Sequence, residues 1–240
     1  MLSKSQIKLI NSLTQKKYRQ KHQLFFAEGV KVIKELLNSS FELEMLFTEV
    51  DLFYTPKNKI QLLKPGELQK ISKLSTPQTA LALFKIPENS ETLKKGLIVA
   101  LDGVRDPGNL GTIIRLCDWF GIENIICSKD TVDCYNPKVI QATMGSIARV
   151  RVSYTNLEES LPNLGLPLYG TFMQAESVYS AVLPKEAVLI LGNEANGISS
   201  TIGNIVTNSI SIPQFGAHQK TESLNVATAT AISLSEFRRR

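Results

Sequence analysis

Three short segments in the second half of the sequence combine glycines with polar side chains that can do chemistry. They are residues 102–111, residues 191–197, and residues 211–213 taken together with 223–226. Each follows an apolar, strand-like run. Ligand sites in α/β proteins lie in the loops that leave the ends of such strands. We therefore expect these segments to form one binding or catalytic site.

The second segment fits neither of the two common nucleotide-binding patterns. The dinucleotide pattern Gly-x-Gly-x-x-Gly would need a glycine where Glu194 stands, and the phosphate loop would need a lysine where Ile198 follows Gly197. A carboxylate also repels a phosphate group. Glu194 therefore indicates a cationic or hydroxyl-bearing ligand, and a nucleotide-using hydrolase is disfavoured.

The first segment predicts a turn that leads into a helix. Pro107 and Gly108 turn the chain, and Asn109 is placed to cap a helix over residues 112–120. Arg115 lies about 200° around that helix from the apolar position Ile113, so its side chain is predicted to point away from the core. It is either a ligand-binding residue or an ordinary surface arginine.

The third segment predicts a second junction between a strand and a helix. Ser223 or Asn225 can cap a final helix that runs to about residue 239. The first part of this helix is rich in small residues, which indicates tight packing against a sheet or a second subunit. The two histidines of the chain, His22 and His218, both lie outside the three segments.

The pattern of elements predicts an α/β protein with two domains. A polar, turn-rich stretch near residues 86–97 divides the chain. Before it, helical patterns at about 3–14 and 28–38 alternate with apolar stretches at 43–47 and 80–84, as in a small α/β domain. After it, helix-like stretches separate most of the strand-like runs, which predicts a mostly parallel sheet with helices on both faces. Those runs are 97–101, 124–127, 149–152, 168–171, 187–191 and 209–212.

Charge is distributed unevenly between the two halves. Residues 1–96 hold 16 Lys and Arg against 9 Asp and Glu, a net +7, whereas residues 97–240 hold 11 against 13, a net −2. This asymmetry indicates a polyanionic partner for the N-terminal part, although a solvated helix face gives the same pattern. The first 27 residues contain no acidic residue and six basic ones: Lys4, Lys8, Lys16, Lys17, Arg19 and Lys21.

Cysteine content and hydropathy indicate the compartment. Cys117, Cys127 and Cys134 are odd in number and form no metal-binding pair, so we expect buried, reduced thiols and no metal site. No apolar run approaches the roughly 18 residues that a membrane helix needs. The first residues lack the apolar stretch of a signal peptide. We expect a cytoplasmic protein that does not enter a membrane.

In order and spacing, the three segments resemble the signature motifs of the SpoU/TrmH family of RNA ribose 2′-O-methyltransferases, within the SPOUT superfamily. The resemblance covers residues 97–240, with one departure at Gln214, where the family commonly has methionine. Residues 1–90 resemble the accessory RNA-binding domain of several members. The matching residues in the second half are Asp102-Gly-Val, Asn109-Leu-Gly, Arg115, Gly192, Glu194, Gly197, Ile212-Pro213 and Ser223-Leu-Asn-Val226; those in the first are Tyr18-Arg19, Phe26 and Glu28-Gly29.

The resemblance implies a fold and a cofactor. The fold is α/β, with a C-terminal trefoil-knot (SPOUT) methyltransferase domain at 97–240 preceded by a small α/β RNA substrate-binding domain at 1–90. S-adenosylmethionine is implied to bind in the knot, and the family is dimeric. The cofactor-binding positions carried over to this chain are Thr171, Gly192, Gly197, Ile212 and Leu224.

The implied reaction moves a sulfonium methyl group to the ribose 2′-hydroxyl of an RNA. Arg115 is implied either to activate that hydroxyl or to bind an RNA phosphate. Ribosomal RNA is favoured over transfer RNA because a full N-terminal domain precedes the motifs. A transfer-RNA methyltransferase and a non-catalytic RNA-binding relative remain as alternatives. The implied catalytic set is Asn109, Arg115, Glu194, Ser223 and Asn225.

Overall fold

The computed structural model describes residues 1–88, 95–216 and 222–239. Within these ranges the chain forms eight α-helices and ten β-strands. The helices are α1 (Lys4–Ser12), α2 (Lys16–His22), α3 (Val30–Leu37), α4 (Pro107–Trp119), α5 (Pro137–Thr143), α6 (Leu157–Ser160), α7 (Ser200–Gly203) and α8 (Val226–Arg239). The strands are β1 (Leu24–Glu28), β2 (Leu43–Thr48), β3 (Ile60–Leu62), β4 (Ala80–Lys85), β5 (Leu97–Asp102), β6 (Asn124–Ser128), β7 (Arg151–Thr155), β8 (Leu168–Ser177), β9 (Ala187–Gly192) and β10 (Asn208–Ser211).

The chain folds into two compact units, each with its own sheet. The first unit comprises Met1–Asn89 and Asp133–Ala148, and the second comprises Ser90–Val132 and Arg149–Arg240. Half of the boundary predicted at 86–97, residues 89–94, falls outside the described ranges. None of the helices in the described parts combines the length and apolar character needed to cross a membrane.

The first unit is built on a mixed four-stranded sheet in the order β1-β4-β2-β3. Strand β4 is antiparallel to both β1 and β2, and β2 is parallel to the short edge strand β3. The apolar runs predicted at 43–47 and 80–84 form β2 and β4. Ile10 and Leu13 pack on Phe26 and Phe47 in the core of this unit. Full burial of such a side chain stabilises the fold by about 1.5–3 kcal/mol.

The N-terminal basic run forms two helices rather than one. Helix α1 begins with a capping box, in which Ser3 Oγ accepts a hydrogen bond from Gln6 N at 3.1 Å and the Gln6 side chain accepts one from Ser3 N at 2.8 Å. Helix α2 was missed by the sequence prediction, since it has no side-chain cap and only seven residues. The chain leaves α2 at Gln23, which adopts the left-handed conformation with φ of 52°.

Arg19 is a buried structural residue, unlike the lysines of the N-terminal basic run. Its side chain is only 2% exposed. Its guanidinium donates to Asp133 Oδ2 (2.9 Å from Nε), to Leu13 O (2.8 Å) and to Thr14 O (3.0 Å). A buried arginine needs such partners because an unpaired charge is costly to remove from water. Arg19 is therefore not available to a polyanionic partner, whereas the five lysines of the same run, Lys4, Lys8, Lys16, Lys17 and Lys21, are exposed.

The segment Asp133–Ala148 completes the first unit although it follows β6 in sequence. The ring of Tyr135 lies 4.8 Å from that of Phe25 and 6.4 Å from that of Phe41, measured between centroids. Asn136 caps α5 by accepting a hydrogen bond from Lys138 N at 2.9 Å. Gly145 packs so closely against α3 that a Cβ there would lie 2.6 Å from Glu35 Cβ.

The second unit contains a six-stranded, entirely parallel sheet in the order β10-β8-β9-β5-β6-β7. This confirms the predicted α/β class with a mostly parallel sheet. Two strands differ from the prediction by more than one residue: β7 begins two residues later, at Arg151, and β8 extends to Ser177. The central strands β5 and β9 are apolar along their length because both faces of a parallel sheet are covered.

Helices cover both faces of this sheet, as the alternation of side chains along the strands requires. On one face Ile98 and Ile190 pack with Leu157 of α6 and Ile202 of α7. On the other face Tyr169 makes an edge-to-face contact with Phe237 of α8, at 5.5 Å between ring centroids. Helix α8 also packs along α4, where Arg238 Nε donates to Phe120 O at 2.8 Å.

Candidate active site

The loop after β5 begins the site and corrects one prediction. Helix α4 begins at Pro107, not near residue 112, and its N-cap is Asp106, whose carboxylate accepts a hydrogen bond from Asn109 N at 2.8 Å. The prediction that Asn109 caps this helix is therefore wrong. An Asp followed by Pro at the first helical position was the signal available in the sequence. Because Asp106 provides the cap, the Asn109 side chain is available for other contacts.

Three polar side chains, one from each of the three motif segments, are joined by hydrogen bonds. Asn109 Nδ2 donates to Glu194 Oε1 at 2.5 Å, and Asn109 Oδ1 accepts from Asn225 Nδ2 at 2.9 Å. Asn225 in turn caps α8, because its Oδ1 accepts from Ala227 N and Thr228 N at 3.0 and 3.3 Å. The cap predicted at Ser223 or Asn225 is thus Asn225. The three side chains come from positions up to 116 residues apart.

A tight turn after β9 presents Glu194. Asn193 N donates to Gly197 O at 3.1 Å, and Gly197 N donates back to Asn193 O at 2.9 Å. The Asn193 side-chain oxygen also accepts hydrogen bonds from Ala195 N and Asn196 N, at 2.9 and 2.8 Å. Gly197 has φ of 68°, a left-handed conformation that glycine adopts without strain. This network fixes the backbone while the Glu194 side chain stays exposed.

Asp102, at the end of β5, is hydrogen-bonded to the backbone just after the turn that carries Glu194. Its Oδ2 accepts a hydrogen bond from Ser199 N at 2.7 Å, and Ser199 is the N-cap of α7. Asp102, Asp106, Asn193 and Ser199 were not singled out as individual functional residues from the sequence. Their positions at strand ends and before helices would have indicated caps and turn residues.

A cavity of about 670 Å³ opens beside Glu194. This is within the range of roughly 300–1,000 Å³ typical of small-molecule sites. All five predicted cofactor-binding residues line it, together with Glu194, Ser223 and Gln214. The full lining is Thr171, Phe172, Met173, Leu191, Gly192, Asn193, Glu194, Ala195, Asn196, Gly197, Ile198, Ile212, Pro213, Gln214, Phe215, Glu222, Ser223, Leu224, Val226 and Ala229.

Gly192 is the tightest backbone position of the cavity wall. A Cβ at this residue would lie 1.9 Å from the carbonyl carbon of Gly197 and 2.1 Å from Ile198 N. Glycine is therefore the only residue that fits where β9 enters the turn. Thr171 lies on the neighbouring strand, and its hydroxyl donates to Ile190 O at 3.2 Å.

The remaining site candidates lie outside the hydrogen-bonded chain. Arg115 is exposed on α4, as predicted, and lies six residues or about 9 Å along the helix from Asn109. Ser223 is exposed and lines the cavity. His218, the histidine nearest to the third segment in sequence, falls outside the described residues. The three cysteines, all within the described residues, are buried as expected and form no disulfide bond.

Family comparisons agree with this geometry. Residues 96–235 match the model of the SpoU rRNA methylase family, and residues 4–82 match the model of the MRM3-like substrate binding domain. The fold, the site and these matches define an RNA methyltransferase. The chain belongs to the SpoU rRNA methylase family, as the resemblance of its motifs predicted.

Individual relatives are similar over most or all of the chain. The 23S rRNA (guanosine(2553)-2′-O)-methyltransferase RlmP of Bacillus subtilis is 30% identical over 93% of this chain and 92% of its own length. A solved structure of a Porphyromonas gingivalis protein, described as a TrmH-family RNA methyltransferase, is 40% identical. It has a TM-score of 0.92 and covers 100% of this chain and 99% of its own.

A cofactor-bound structure is also similar. The AdoMet-bound rRNA methyltransferase of Sinorhizobium meliloti is 28% identical to this chain, with a TM-score of 0.86. The match covers 100% of this chain and 97% of that protein.

Proposed function

We propose that this protein transfers a methyl group from S-adenosylmethionine to the ribose 2′-hydroxyl of a nucleotide in ribosomal RNA. The observation that carries the proposal is the joining of Asn109, Glu194 and Asn225 beside a cavity of cofactor size. Relatives that match this chain are named as 23S rRNA 2′-O-methyltransferases, which favours ribosomal RNA over transfer RNA.

The cavity fits S-adenosylmethionine in chemistry as well as size. Ile212 and Leu224 offer apolar surface for the faces of an adenine ring, and the exposed polar side chains of Glu194 and Ser223 lie nearby. The carboxylate of Glu194 suits a ligand that carries a positively charged sulfonium. We assign cofactor binding to Thr171, Gly192, Gly197, Ile212 and Leu224. The bound cofactor supplies an activated methyl group, and the protein must align it with the RNA.

Alignment is the main task of the site, because well-oriented reactants gain about 7–11 kcal/mol over free ones. We assign the hydrogen-bonded chain of Asn109, Glu194 and Asn225 to holding the motif loops and the target ribose in one geometry. Ser223, at the cavity wall, is assigned to the cofactor loop. The hydrogen bonds from Asn109 to Glu194 and from Asn225 to Asn109 fix the position of Glu194 relative to the first and third motif segments.

Arg115 is assigned to an RNA phosphate next to the target ribose. A guanidinium has a pKa above about 12 and is a poor base, whereas its planar fork suits a phosphate. Its exposure on α4 is consistent with contact to a macromolecule rather than to the cavity. In this assignment the phosphate that Arg115 binds lies next to the reacting 2′-hydroxyl. The oxygen gains the methyl group as the bond from methyl to sulfur breaks, the hydroxyl proton passes to solvent, and S-adenosylhomocysteine is left.

The finer architecture is part of the same proposal. We propose that residues 97–240 form a trefoil knot, that residues 1–90 bind the RNA substrate, and that the protein is a cytoplasmic homodimer. Two features support a dimer. Trp119, at the end of α4, is 84% exposed, and α8, which packs along α4, begins with small residues that allow close helix approach. Exposed tryptophans are enriched at protein interfaces.

The test is methyl transfer from tritiated S-adenosylmethionine to transcripts of 23S ribosomal RNA and transfer RNA, both free of modification. Label should enter the 23S transcript and should survive alkaline hydrolysis as a resistant dinucleotide, because a 2′-O-methyl group blocks cleavage at that position. Label in transfer RNA alone would favour the transfer-RNA alternative. RNA and cofactor binding without transfer would indicate a non-catalytic relative.

A further inference from the structure

Arg105 and Asp130 form an exposed ion pair at the same sheet edge as the candidate active site. Arg105 follows β5 and Asp130 follows β6, and in a parallel sheet the carboxyl ends of neighbouring strands lie at one edge. Arg105 Nη2 lies 3.3 Å from Asp130 Oδ2, and the two side chains are 72% and 54% exposed. Neither residue lines the cavity.

The pair lies close to the turn that presents Glu194. A Cβ placed on Gly103 would lie 3.1 Å from Asp130 Oδ2 and 3.4 Å from Asn193 Nδ2. The carboxylate of Asp130 and the side-chain amide of Asn193 therefore both lie next to Gly103. Since Asn193 directly precedes Glu194, the ion pair borders the catalytic loop.

Asp130 is held in place by groups other than Arg105. Its Oδ1 accepts a hydrogen bond from Ser128 Oγ at 2.6 Å, and Ser128 Oγ itself accepts one from Gly103 N at 2.8 Å. The hydrogen bond from Ser128, aided by Arg105, keeps the pKa of the Asp130 carboxyl below its ordinary value. Asp130 is thus a fixed negative charge at neutral pH, and it offers Arg105 only one oxygen.

A second ion pair of the same unit, between Arg149 and Asp118, provides a comparison in which several guanidinium N–H groups contact the carboxylate. Arg149 meets Asp118 with its fork: Nε lies 2.9 and 3.1 Å from the two carboxylate oxygens, and Nη2 lies 2.9 Å from Oδ2. Arg105 makes one long contact with Asp130 instead. Arg149 precedes β7 and Asp118 is near the end of α4, so this second pair lies at the opposite edge of the sheet.

An exposed ion pair of this kind contributes little to stability. Within the described residues, the other N–H groups of Arg105 donate to no further side chain or backbone group. A guanidinium fork with open donors matches the oxygens of a phosphate. The open fork, its fixed carboxylate partner and its position at the catalytic edge together indicate a ligand that is anionic and comes from solution.

We infer that Arg105 binds a phosphate of the RNA strand beside the target nucleotide, and that Asp130 orients its guanidinium for that contact. This inference rests on the proposed function, since it requires that RNA lies along this edge. It adds an RNA-binding residue outside the set of Asn109, Arg115, Glu194, Ser223 and Asn225.

The experiment measures binding of the full-length protein to in-vitro-transcribed 23S ribosomal RNA by filter retention over a range of KCl concentrations. The plot of log K for RNA association against log[salt] has a negative slope, and each phosphate contact that is lost reduces the magnitude of that slope by about 0.7–0.9. We expect Arg105→Ala to show this reduction, with affinity about sixfold lower at about 0.1 M salt. Arg149→Ala is the matched control and should keep the wild-type slope.

Two further variants separate charge from folding. Arg105→Lys keeps the charge and should keep the wild-type slope, whereas Arg105→Gln should behave like Arg105→Ala even if the alanine variant folds poorly. S-adenosylmethionine affinity should be unchanged in all of them, because Arg105 does not line the cavity. A wild-type slope in both neutral variants, or an equal reduction in Arg149→Ala, would overturn the inference.

The result is also separable from the proposed function. A wild-type protein that methylates the transcript, combined with unchanged slopes in Arg105→Ala and Arg105→Gln, would reject only the role of Arg105. A wild-type protein that transfers no methyl group to any RNA would reject the proposed function itself.

Discussion

Gly192 offers a sharp test of the cavity because its surroundings are backbone atoms that cannot rotate away. In Gly192→Ala the new methyl group would lie 1.9 Å from Gly197 C, 2.1 Å from Ile198 N and 2.2 Å from Gly197 O. Ordinary contacts of a Cβ are 3.4 Å or longer. The backbone at Gly197 and Ile198 must therefore move by more than about 1 Å, as overpacking of a tight site requires.

The cost follows from the contacts that this movement breaks. Overpacking costs about 1–3 kcal/mol. The reciprocal hydrogen bonds between Asn193 and Gly197 would also be strained or lost, at about 0.5–1.5 kcal/mol each. The sum is about 2–6 kcal/mol. If the turn must regain its wild-type position to bind the cofactor, even 2 kcal/mol weakens S-adenosylmethionine binding by about thirtyfold.

The assay compares Gly192→Ala with Gly203→Ala by thermal unfolding and by calorimetric titration with S-adenosylmethionine. Gly203 ends α7, and a Cβ there would meet no heavy atom within 4 Å. This control should bind the cofactor as the wild type does and should be unchanged or slightly more stable, by up to about 1 kcal/mol. Gly192→Ala should lower the melting temperature by about 4 °C or more.

The opposite result would refute the description of the cavity wall. A Gly192→Ala protein with wild-type melting temperature and wild-type cofactor affinity would mean that β9 and the turn do not pack as closely as these distances require. Loss of affinity in both glycine variants would mean that the effect is not specific to the cavity.

Three further predictions follow from individual side chains. Arg115→Ala should have a free energy of unfolding within about 0.5 kcal/mol of the wild type and should bind S-adenosylmethionine normally. The rate of methyl transfer in single-turnover assays should fall by about 10² or more, and Arg115→Lys should not restore it. A near-normal rate in Arg115→Ala would remove Arg115 from the mechanism. Arg19→Ala leaves the carboxylate of Asp133 without its partner and should lower the free energy of unfolding in urea by about 3–5 kcal/mol. The control Lys21→Ala, on the exposed face of α2, should change that free energy by less than about 0.5 kcal/mol. Equal effects of the two substitutions would contradict the buried ion pair. Burial raises the pKa of the Cys117 thiol. Iodoacetamide at about pH 8 should therefore leave Cys117 unmodified in the native protein and alkylate it after denaturation in guanidinium. Rapid labelling of Cys117 in the native protein would contradict its burial.

Much of the second unit could be predicted from sequence because its signals are local. Runs of β-branched and aliphatic residues separated by helical patterns predict a parallel sheet, and all six strands occur close to their predicted positions. The same reasoning narrows the cap of the last helix to Ser223 or Asn225, and the structure shows that it is Asn225, since a capping residue acts within its own first turn. Asn109 was misassigned as a cap because the stronger Asp-Pro signal three residues earlier was not used.

The contacts that were missed join residues far apart in sequence. Nothing near Arg19 in sequence indicates that its partner is Asp133, 114 residues away, so the basic run alone does not reveal that this arginine is buried. The packing of Asp133–Ala148 within the first unit is equally non-local, because Tyr135 contacts Phe25 through tertiary structure alone. The chain of Asn109, Glu194 and Asn225 could be anticipated as a cluster at the strand ends, but not as a specific set of hydrogen bonds.

The most direct test of the central claim is a map of 2′-O-methyl positions in the ribosomal RNA of cells with and without the gene. One 2′-O-methyl group should disappear from ribosomal RNA when the gene is deleted. It should return with the wild-type gene and remain absent with the gene carrying Arg115→Ala. Identical maps of ribosomal RNA in the two strains, or loss of a methyl group from transfer RNA alone, would contradict the claim that this protein methylates ribosomal RNA.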